Sequence, residues 1–342
     1  MESTRLQHLA AESNLDLVGV AKVGKAVTWE AYRSWLGRGY AGEMERYLAR
    51  PDAVARRADP RAILPEARTV LMVAASYAGP PHPALLPLHG RVSRYAWGED
   101  YHRWLLARLR RYLRLLEEDL GSFEARCYVD TGPVLEREWA RRAGLGWLGK
   151  NTNLIHPLWG SYLFLGVALL SIDLDPTPPT SMPDCGSCTR CLEACPTGAL
   201  VAPGRLDARR CLSYLTIEHR GSVPETLRPK MGSRLFGCDI CQEVCPWNRK
   251  PSARRGGEPA PPHATLSLPE LLFITPETFR ARFRETPIWR ATPTGLARNA
   301  ALVLGNLGDP AALPHLTRAI REHPSALVRE HAAWAKARLE KT

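Results

Sequence analysis

Two short runs of cysteines are the residues of this chain whose spacing most clearly indicates a chemical role. The first run has the pattern C-x2-C-x2-C-x3-C, the second has the pattern C-x2-C-x3-C, and each is followed directly by a proline. The cysteines are Cys185, Cys188, Cys191 and Cys195 in the first run and Cys238, Cys241 and Cys245 in the second. The first pattern is the spacing with which bacterial ferredoxins bind iron–sulfur clusters. Cys211, between the runs, brings the number of thiols to eight, which is enough for two 4Fe–4S clusters.

The ferredoxin rule also predicts how the eight thiols divide, because the fourth cysteine of such a run binds the other cluster. The first cluster would take Cys185, Cys188, Cys191 and Cys245. The second cluster would take Cys195, Cys211, Cys238 and Cys241. Two structural zinc sites are the alternative, since C-x2-C pairs also bind zinc, although four cysteines in one run closed by Cys-Pro are untypical of zinc. A disulfide framework fits neither the spacing nor the chain length.

The composition is that of a globular protein with a basic surface. The chain has 342 residues, room for two or three domains, and 46 Lys and Arg against 35 Asp and Glu give a net charge of +11. Residues 246–342 hold 15 of the basic and 8 of the acidic residues. Such an excess favours a polyanionic partner such as nucleic acid, or it is simply a solvated arginine-rich surface. With no long apolar run and a polar beginning, we expect no membrane span and a cytoplasmic protein.

Strands and helices alternate in the first part of the chain, which predicts an α/β (α+β) domain over 1–175. Helices are predicted over 3–13, 29–36, 43–50 and 100–120, and strands over 15–23, 69–77, 123–129 and 161–172. The longest helix has leucines at the spacing of a core-facing stripe. These are Leu105, Leu109, Leu113 and Leu116. Pro133 is predicted to stand at the first position of the next helix, which ends near residue 142.

Two proline-rich segments divide the rest of the chain. Residues 173–183 lead into a ferredoxin-like domain over 176–255, and residues 251–262 lead into a tail over 256–342. In the tail, the apolar spacing predicts helices over 296–307, 310–322 and 325–339. Such helix pairs are similar to HEAT-type repeats, and their small number predicts a cap or a small recognition module.

Asp130 is the candidate for acid–base chemistry. It lies where the predicted strand 123–129 meets the next helix, and ligands bind at the carboxyl ends of the strands in α/β sheets. A carboxyl group in a partly dry pocket has its pKa raised and can act as an acid. The alternative is that Asp130 only hydrogen-bonds the turn and the start of the helix. Nearby, Cys127 is predicted to be a small buried hydrophobe.

A glycine-rich segment follows Asp130. Gly144, Gly146 and Gly149 precede Lys150, in a stretch that contains neither a P-loop nor a dinucleotide-binding fingerprint. Glycines without a Cβ would let this backbone approach something large and flat. The segment therefore predicts a binding site for a group other than a nucleotide phosphate.

Several motifs resemble those of epoxyqueuosine reductases. They are SRYAWG (93–98), DTGPVLER (130–137), RAGLGW (142–147), GKNT (149–152), SYLTIE (213–218), GCDICQ (237–242), Arg298-Asn299-Ala300 and LGN (304–306). The resemblance extends over nearly the whole chain and includes the cluster cysteines. It implies a cobalamin in the first domain, beside an iron–sulfur cluster, and reduction of the epoxide of epoxyqueuosine in tRNA to queuosine.

The resemblance also implies roles for individual residues. Asp130 matches the proton donor of the family and is expected to lie at the cobalamin. The other positions matched as cobalamin contacts are Arg57, Lys150, Asn151, His156, Ser161 and Ser213. Of these, His156 has the alternative of a satisfied structural histidine.

The implied substrate is the anticodon stem-loop of a tRNA that carries epoxyqueuosine at the wobble position. Its phosphates would need Lys and Arg side chains. The candidates are Arg249, Lys250, Arg254, Arg255, Arg298 and Arg329. We further expect an external low-potential electron donor and a monomer. The alternatives are a reductive dehalogenase-like corrinoid enzyme that acts on a small molecule and a non-enzymatic electron-transfer protein.

Overall fold

The computed structural model describes residues 3–178, 182–249 and 263–341. The predicted linker 251–262 and the candidates Lys250, Arg254 and Arg255 lie outside the described residues. The elements of the first part are α1 (Ser3–Glu12), β1 (Leu17–Lys22), α2 (Trp29–Gly37), α3 (Glu45–Leu48), α4 (Pro51–Ala58), β2 (Thr69–Ser76), β3 (His89–Val92), α5 (Tyr101–Leu120), β4 (Ala125–Tyr128), α6 (Glu136–Arg142), β5 (Trp147–Leu148), β6 (Leu154–Ile155) and β7 (Leu163–Leu170).

A four-stranded sheet with the order β1-β2-β7-β4 forms the centre of the first part. Strand β2 is buried along nearly its whole length because helices cover both faces of the sheet. Its residues Leu71 and Val73 face the core with α1 and α5, and Val70 and Met72 face the core with α6. The four leucines of the predicted stripe on α5 are all buried in the first of these cores, as the 3.6-residue period requires.

Two expectations for this region are wrong. All neighbouring strands of the sheet are antiparallel, so the argument that placed Asp130 at the carboxyl edge of parallel strands does not apply. Helix α6 begins at Glu136 and not at Pro133. The reason is a tight turn after β4, in which the Thr131 amide donates to the Val129 carbonyl at 2.6 Å and keeps the chain out of the helix.

The cysteine-bearing segment is built from short elements. They are α7 (Arg190–Ala194), β8 (Leu200–Ala202), β9 (Arg205–Leu206), α8 (Leu212–Ile217), β10 (Arg234–Phe236) and α9 (Ile240–Glu243). Helix α7 packs against α9, which brings the two cysteine runs together.

The tail contains more helices than the spacing predicted. Its elements are β11 (Thr265–Ser267), α10 (Leu268–Leu272), α11 (Pro276–Phe283), α12 (Pro293–Leu307), α13 (Leu313–Glu322) and α14 (Ala326–Leu339). The three predicted helices correspond to α12, α13 and α14, and α12 packs between α10 and α14. Their relation to HEAT repeats stays a prediction.

A second sheet joins all three parts of the chain. Its order is β10-β3-β11, so it takes one strand from the first part, one from the cysteine-bearing segment and one from the tail. A single hydrophobic core extends through the same three parts and includes Trp97, Phe236 and Leu304. The three parts therefore pack on one another, and the boundaries expected at 175 and 255 stay predictions.

Candidate active site

The thiol of Cys245 lies with the first three cysteines of the first run. Burial raises the pKa of Cys245, and the thiols of Cys185, Cys191 and Cys188 are close enough to raise it further. Burial also raises the pKa of Cys191, and Cys185 adds to the effect. These four side chains are the set that the ferredoxin rule assigns to one cluster.

The other four thiols form a second neighbourhood. Burial raises the pKa of Cys241 well above its ordinary value, with further contributions from Cys238 and Cys211. Burial likewise raises the pKa of Cys211, and Cys195 acts on it in the same direction. Within the described ranges, no three His, Cys, Asp or Glu side chains converge where one metal ion would bind. Ligation of two clusters by these sets remains a prediction.

Asp130 stands in a strained turn between β4 and α6. Its φ angle is +59°, a left-handed conformation that is uncommon for residues other than glycine. The Asp130 amide donates to Glu136 Oε1 at 2.8 Å, which ties the turn to the first residue of α6. The neighbouring Gly132 is required here, because a Cβ at this position would come within 2.4 Å of the Tyr128 side chain. The Asp130 side chain is 62% exposed, so the partly dry pocket expected around it is absent from the chain alone.

His102 lies between Asp130 and a second carboxylate. His102 Nε2 is 3.2 Å from Asp130 Oδ2, and His102 Nδ1 is 2.5 Å from Asp100 Oδ1. Asp100 is also the N-cap of α5, where its side chain accepts from the His102 amide. Burial alone would lower the pKa of His102, but the hydrogen bonds to Asp100 and Asp130 outweigh it and raise the pKa to about 9. His102 is therefore a cation at neutral pH.

The carboxyl group of Glu136 holds its proton more tightly than the carboxyl group of an exposed glutamate does. Its desolvation, together with the negative charge of Asp130, raises the pKa of Glu136 to about 8. Glu136 can thus bind the Asp130 amide without adding a second full negative charge to the turn. The arrangement holds one exposed carboxylate beside one imidazolium.

Residues distant in sequence complete the surroundings of Asp130. The Tyr101 ring stacks between His102 and Phe164, with ring centroids 4.1 Å from each. The negative charge of Asp130 also acts on the pKa of Tyr47 in α3 and of Arg290 in the tail. The Arg290 guanidinium lies 5.7 Å from the centre of the Tyr47 ring and donates to Glu218 at 2.8 Å. The first part of the chain and the tail therefore both contribute to this site.

Three of the positions matched as cobalamin contacts lie at the junction with the cysteine-bearing segment. Lys150 Nζ donates to the Gly186 carbonyl at 2.6 Å, and Asn151 Nδ2 donates to the Cys241 carbonyl at 3.4 Å. Ser161 is buried, and its hydroxyl donates to Gln242 and accepts from Asn248, each at 2.9 Å. The Ser161 hydroxyl thus joins the two segments, and its contact with a cobalamin stays a prediction.

The other three positions have different surroundings. Arg57 Nη1 donates to the Ala53 carbonyl of its own helix, and the guanidinium lies 5.7 Å from the centre of the Tyr32 ring. His156 Nδ1 accepts two backbone amides at 3.1 Å, and burial lowers the pKa of His156 to about 4, so only its Nε2 is left for a ligand. Ser213 stands in the first turn of α8, two residues after Cys211.

The glycines of the 144–149 segment allow close packing within the protein. A Cβ on Gly146 would come within 2.2 Å of the Ile155 carbonyl oxygen, and a Cβ on Gly149 would come within 2.5 Å of the Ile155 side chain. A Cβ on Gly144 would meet the Thr177 side chain at 3.2 Å. The crowding atoms belong to the protein itself, and the approach of a flat ligand to this segment stays a prediction.

Arg298 is a structural residue and not a phosphate contact. It is 1% exposed, and its guanidinium donates to the carbonyls of Leu215, His219 and Gly221. Arg329 is half-buried and donates to the carbonyls of His323 and Pro324, which follow α13. Of the described candidates, only Arg249 is exposed. The spacing could not reveal the burial of Arg298, because the carbonyls that it binds lie almost eighty residues earlier.

We expect the replacement of Arg298 by leucine to destabilise the folded protein by about 3 kcal/mol or more, because it leaves three backbone carbonyls without their charged donor. The thermal unfolding midpoint at a fixed heating rate would measure the loss. Arg329→Leu is the matched control, since its guanidinium is only half-buried, and it should cost less than about 1 kcal/mol. Equal shifts for the two variants would contradict the structural role of Arg298.

Sequence reasoning missed His102, Tyr47 and Arg290. His102 follows the N-cap Asp100 by two residues, and this D-x-H pattern at a helix start was the one local signal for it. Tyr47 and Arg290 lie far from Asp130 in the sequence, and only the folded chain places them where the charge of Asp130 acts on them. No spacing in the sequence reports such a contact.

The cysteine-bearing segment packs with an α/β part that carries Asp130, and comparison with known protein families identifies the class to which such a chain belongs. Residues 184–248 match the family model described as a 4Fe-4S double cluster binding domain, and residues 57–131 match the model described as Epoxyqueuosine reductase QueG, DUF1730. The epoxyqueuosine reductase of Pseudomonas aeruginosa is 40% identical over 95% of this chain and 91% of its own length. That of Escherichia coli is 38% identical over 97% of this chain and 88% of its own. The chain belongs to the epoxyqueuosine reductase family.

Solved structures agree with this relationship. A selenomethionine-labelled epoxyqueuosine reductase has a TM-score of 0.88 and 34% identity, with 98% of this chain and 90% of that chain covered. An epoxyqueuosine reductase with an epoxyqueuosine-modified tRNA-Tyr stem loop has a TM-score of 0.87 and 33% identity, with 98% and 89% covered. The Bacillus subtilis enzyme, described with its catalytic aspartate loop swung out of the active site, has a TM-score of 0.86 and 32% identity, with 98% and 90% covered. No helix among the described residues has the length and apolar character to cross a membrane.

Proposed function

We propose that this chain reduces the epoxide of epoxyqueuosine in the anticodon stem-loop of tRNA and so forms queuosine. The observation that carries the proposal is the near full-length relationship to epoxyqueuosine reductases, including a solved relative that holds an epoxyqueuosine-modified stem loop. The reaction takes up two electrons and two protons and releases the epoxide oxygen as water. The reductive dehalogenase and the simple electron carrier are not favoured by these relatives.

The eight cysteines support two 4Fe–4S clusters as the source of single electrons. The residues around Cys245 fit such a group, because the indole of Trp147 is buried beside Cys245 and Cys185. Among the described residues, Trp147 Nε1 has no hydrogen-bond acceptor, although a buried donor without an acceptor costs about 1–3 kcal/mol. The sulfur atoms of a bound cluster would provide that acceptor.

We expect Trp147→Phe to lower the reduction potential of one cluster, because hydrogen bonds to cluster sulfur stabilise the reduced state. Loss of one hydrogen bond of about 1 kcal/mol corresponds to roughly 20–60 mV for a one-electron couple. A redox titration followed by electron paramagnetic resonance would measure it. The control is Trp139→Phe, which removes another buried indole N–H without an acceptor from the core beneath the sheet. A potential that does not move in Trp147→Phe would rule out this hydrogen bond.

A cobalamin would supply a cobalt centre that accepts the electrons and reacts with the epoxide carbon. Helix α2 fits a large cofactor, since it has no buried residue and yet carries Trp29, Tyr32 and Trp35, with neighbouring ring centroids 5.9 and 6.3 Å apart. The residues proposed to hold the cofactor are Arg57, which lies against Tyr32 of this helix, and Lys150, Asn151, Ser161 and Ser213, with His156 through Nε2.

The chain's own residues would place the substrate and deliver a proton. Asp130 lies on a turn whose strained backbone is held from both sides, by Glu136 at its amide and by His102 at its carboxylate. We assign Asp130 the role of donor to the departing epoxide oxygen, a general-acid step worth roughly 10²–10⁴-fold. Arg249, exposed after the second cysteine run, is the remaining described candidate for a tRNA phosphate, and stem-loop affinity should fall as salt rises.

The test is an anaerobic reconstitution with iron, sulfide and cobalamin, followed by incubation with an epoxyqueuosine stem loop and a strong one-electron reductant. We expect about eight iron and one cobalt per chain, and mass spectrometry should show loss of one oxygen from the base. A reaction without cobalamin is the control. Iron without cobalt would return the chain to an electron carrier, and a fully loaded protein that leaves the epoxide intact would overturn the proposed function.

A further inference from the structure

Asp130 must receive a new proton for every turnover of the proposed reaction. Its carboxylate is largely exposed and lies 3.2 Å from a histidine that carries the positive charge. The contact between His102 Nε2 and Asp130 Oδ2 is a direct path for a proton from the imidazole to the carboxylate. The group that supplies this proton must lie within hydrogen-bond distance of the Asp130 carboxylate.

We infer that His102 stores this proton and positions Asp130, and that Asp100 fixes the His102 ring for the transfer. The inference rests on the proposed function. His102 Nε2 passes its proton to Asp130 Oδ2, Asp130 passes a proton to the epoxide oxygen as the carbon–oxygen bond breaks, and His102 is left neutral with its remaining N–H on Nδ1, directed to Asp100. Asp130 returns to the carboxylate form, so the net step moves one proton from His102 to the oxygen.

The surroundings of His102 suit this task. Asp100 accepts from the ring at 2.5 Å and from the His102 amide at 3.1 Å, so the ring and the start of α5 are fixed by one side chain. The stacked Tyr101 ring restricts rotation of the imidazole. The His102 side chain is 30% exposed, which gives water access to it for renewal of the proton after each turnover.

The groups that face His102 come from three elements. Asp100 precedes α5, Asp130 comes from the turn after β4, and Glu136 begins α6. The two carboxylates favour the charged imidazole more strongly than its partial burial disfavours it. Loss of the Asp100 charge should therefore let His102 release its proton at lower pH.

The single-turnover rate of epoxide reduction between about pH 6 and 10 tests the inference. In the unaltered protein the rate should fall as pH rises through the value near 9 at which His102 loses its proton. His102→Gln, which keeps a hydrogen bond to Asp130, should reduce the rate at least about 10-fold and abolish this alkaline limb. Asp100→Asn keeps the helix cap and should move the limb to lower pH by about one unit or more, with the rate at low pH retained.

His8→Gln is the matched control, since His8 lies on α1 and pairs with Glu12 at 2.8 Å, and it should leave the profile unchanged. Iron, cobalt and stem-loop affinity are measured for each variant, so that a folding defect is recognised. An unaltered protein that reduces no epoxide would overturn the proposed function itself. An active protein whose alkaline limb survives in His102→Gln, or moves in Glu136→Gln and not in Asp100→Asn, would overturn the role of His102 alone.

Discussion

Asp130→Asn is expected to retain both clusters and cobalamin and to lose roughly 10²–10⁴-fold in turnover, because the amide cannot deliver a proton to the departing oxygen. Asparagine is the informative replacement here, since it adopts left-handed backbone conformations almost as readily as aspartate. Alanine at φ +59° would add about 1–2 kcal/mol of backbone strain, so Asp130→Ala should lose turnover and some order in the turn.

The measurement is the rate of oxygen loss from the stem loop, with metal content and stem-loop affinity determined in parallel. Asp119→Asn is a suitable control, because Asp119 pairs with Arg5 at the far end of α5. Undiminished turnover in Asp130→Asn would exclude Asp130 as the donor. A parallel loss of cobalamin would instead indicate that the residue acts through the cofactor site.

Single replacements of the cysteines should show which thiols bind the same cluster. We expect each cluster to be bound by cysteines from both sequence runs. Cys245→Ala is expected to remove the cluster of the first three cysteines. Cys195→Ala is expected to remove the other cluster, which Cys211 also binds. Each variant should retain about four of eight iron atoms, and turnover should be lost in both because single electrons pass through both clusters.

The spectra of the variants decide the assignment. Electron paramagnetic resonance of Cys195→Ala and Cys211→Ala should report the same surviving cluster, and Cys245→Ala should report the opposite one. Cys127→Ala is the control, because Cys127 packs with the core of the first part and should affect neither signal. If Cys195→Ala and Cys188→Ala abolish the same signal, the ligands follow the sequence runs and the crossover assignment is wrong.

The sequence predicted what depends on local spacing. The cysteine runs indicated the cluster segment, the leucines of α5 indicated a buried face, and the long motifs indicated the family. Each of these signals arises within a few helical turns of chain, where residue type and period are closely tied to structure.

The features that escaped prediction depend on distant contacts. Arg298 carries a charge and was expected at the surface. It is buried because backbone carbonyls near residue 215 accept hydrogen bonds from its guanidinium. Asp130 was expected near a helix start at Pro133, whereas a tight turn and the Glu136 carboxyl hold it in place. The role of His102 becomes visible only when Asp130, 28 residues later, is brought beside it.

The sheet that joins β10, β3 and β11 constrains how the protein is made. Strand β3 leaves the ribosome early and has no partner until β10 has been synthesised, and its other edge stays open until β11 follows. An unpaired strand edge promotes aggregation. The long chain segments between β3 and its partner strands also make their pairing slow. The nascent chain therefore carries an incomplete sheet while its cysteines emerge one after another. Truncation before residue 265 would leave β3 with an open edge, so translation must continue well past the last cluster cysteine before the cluster segment acquires its final support.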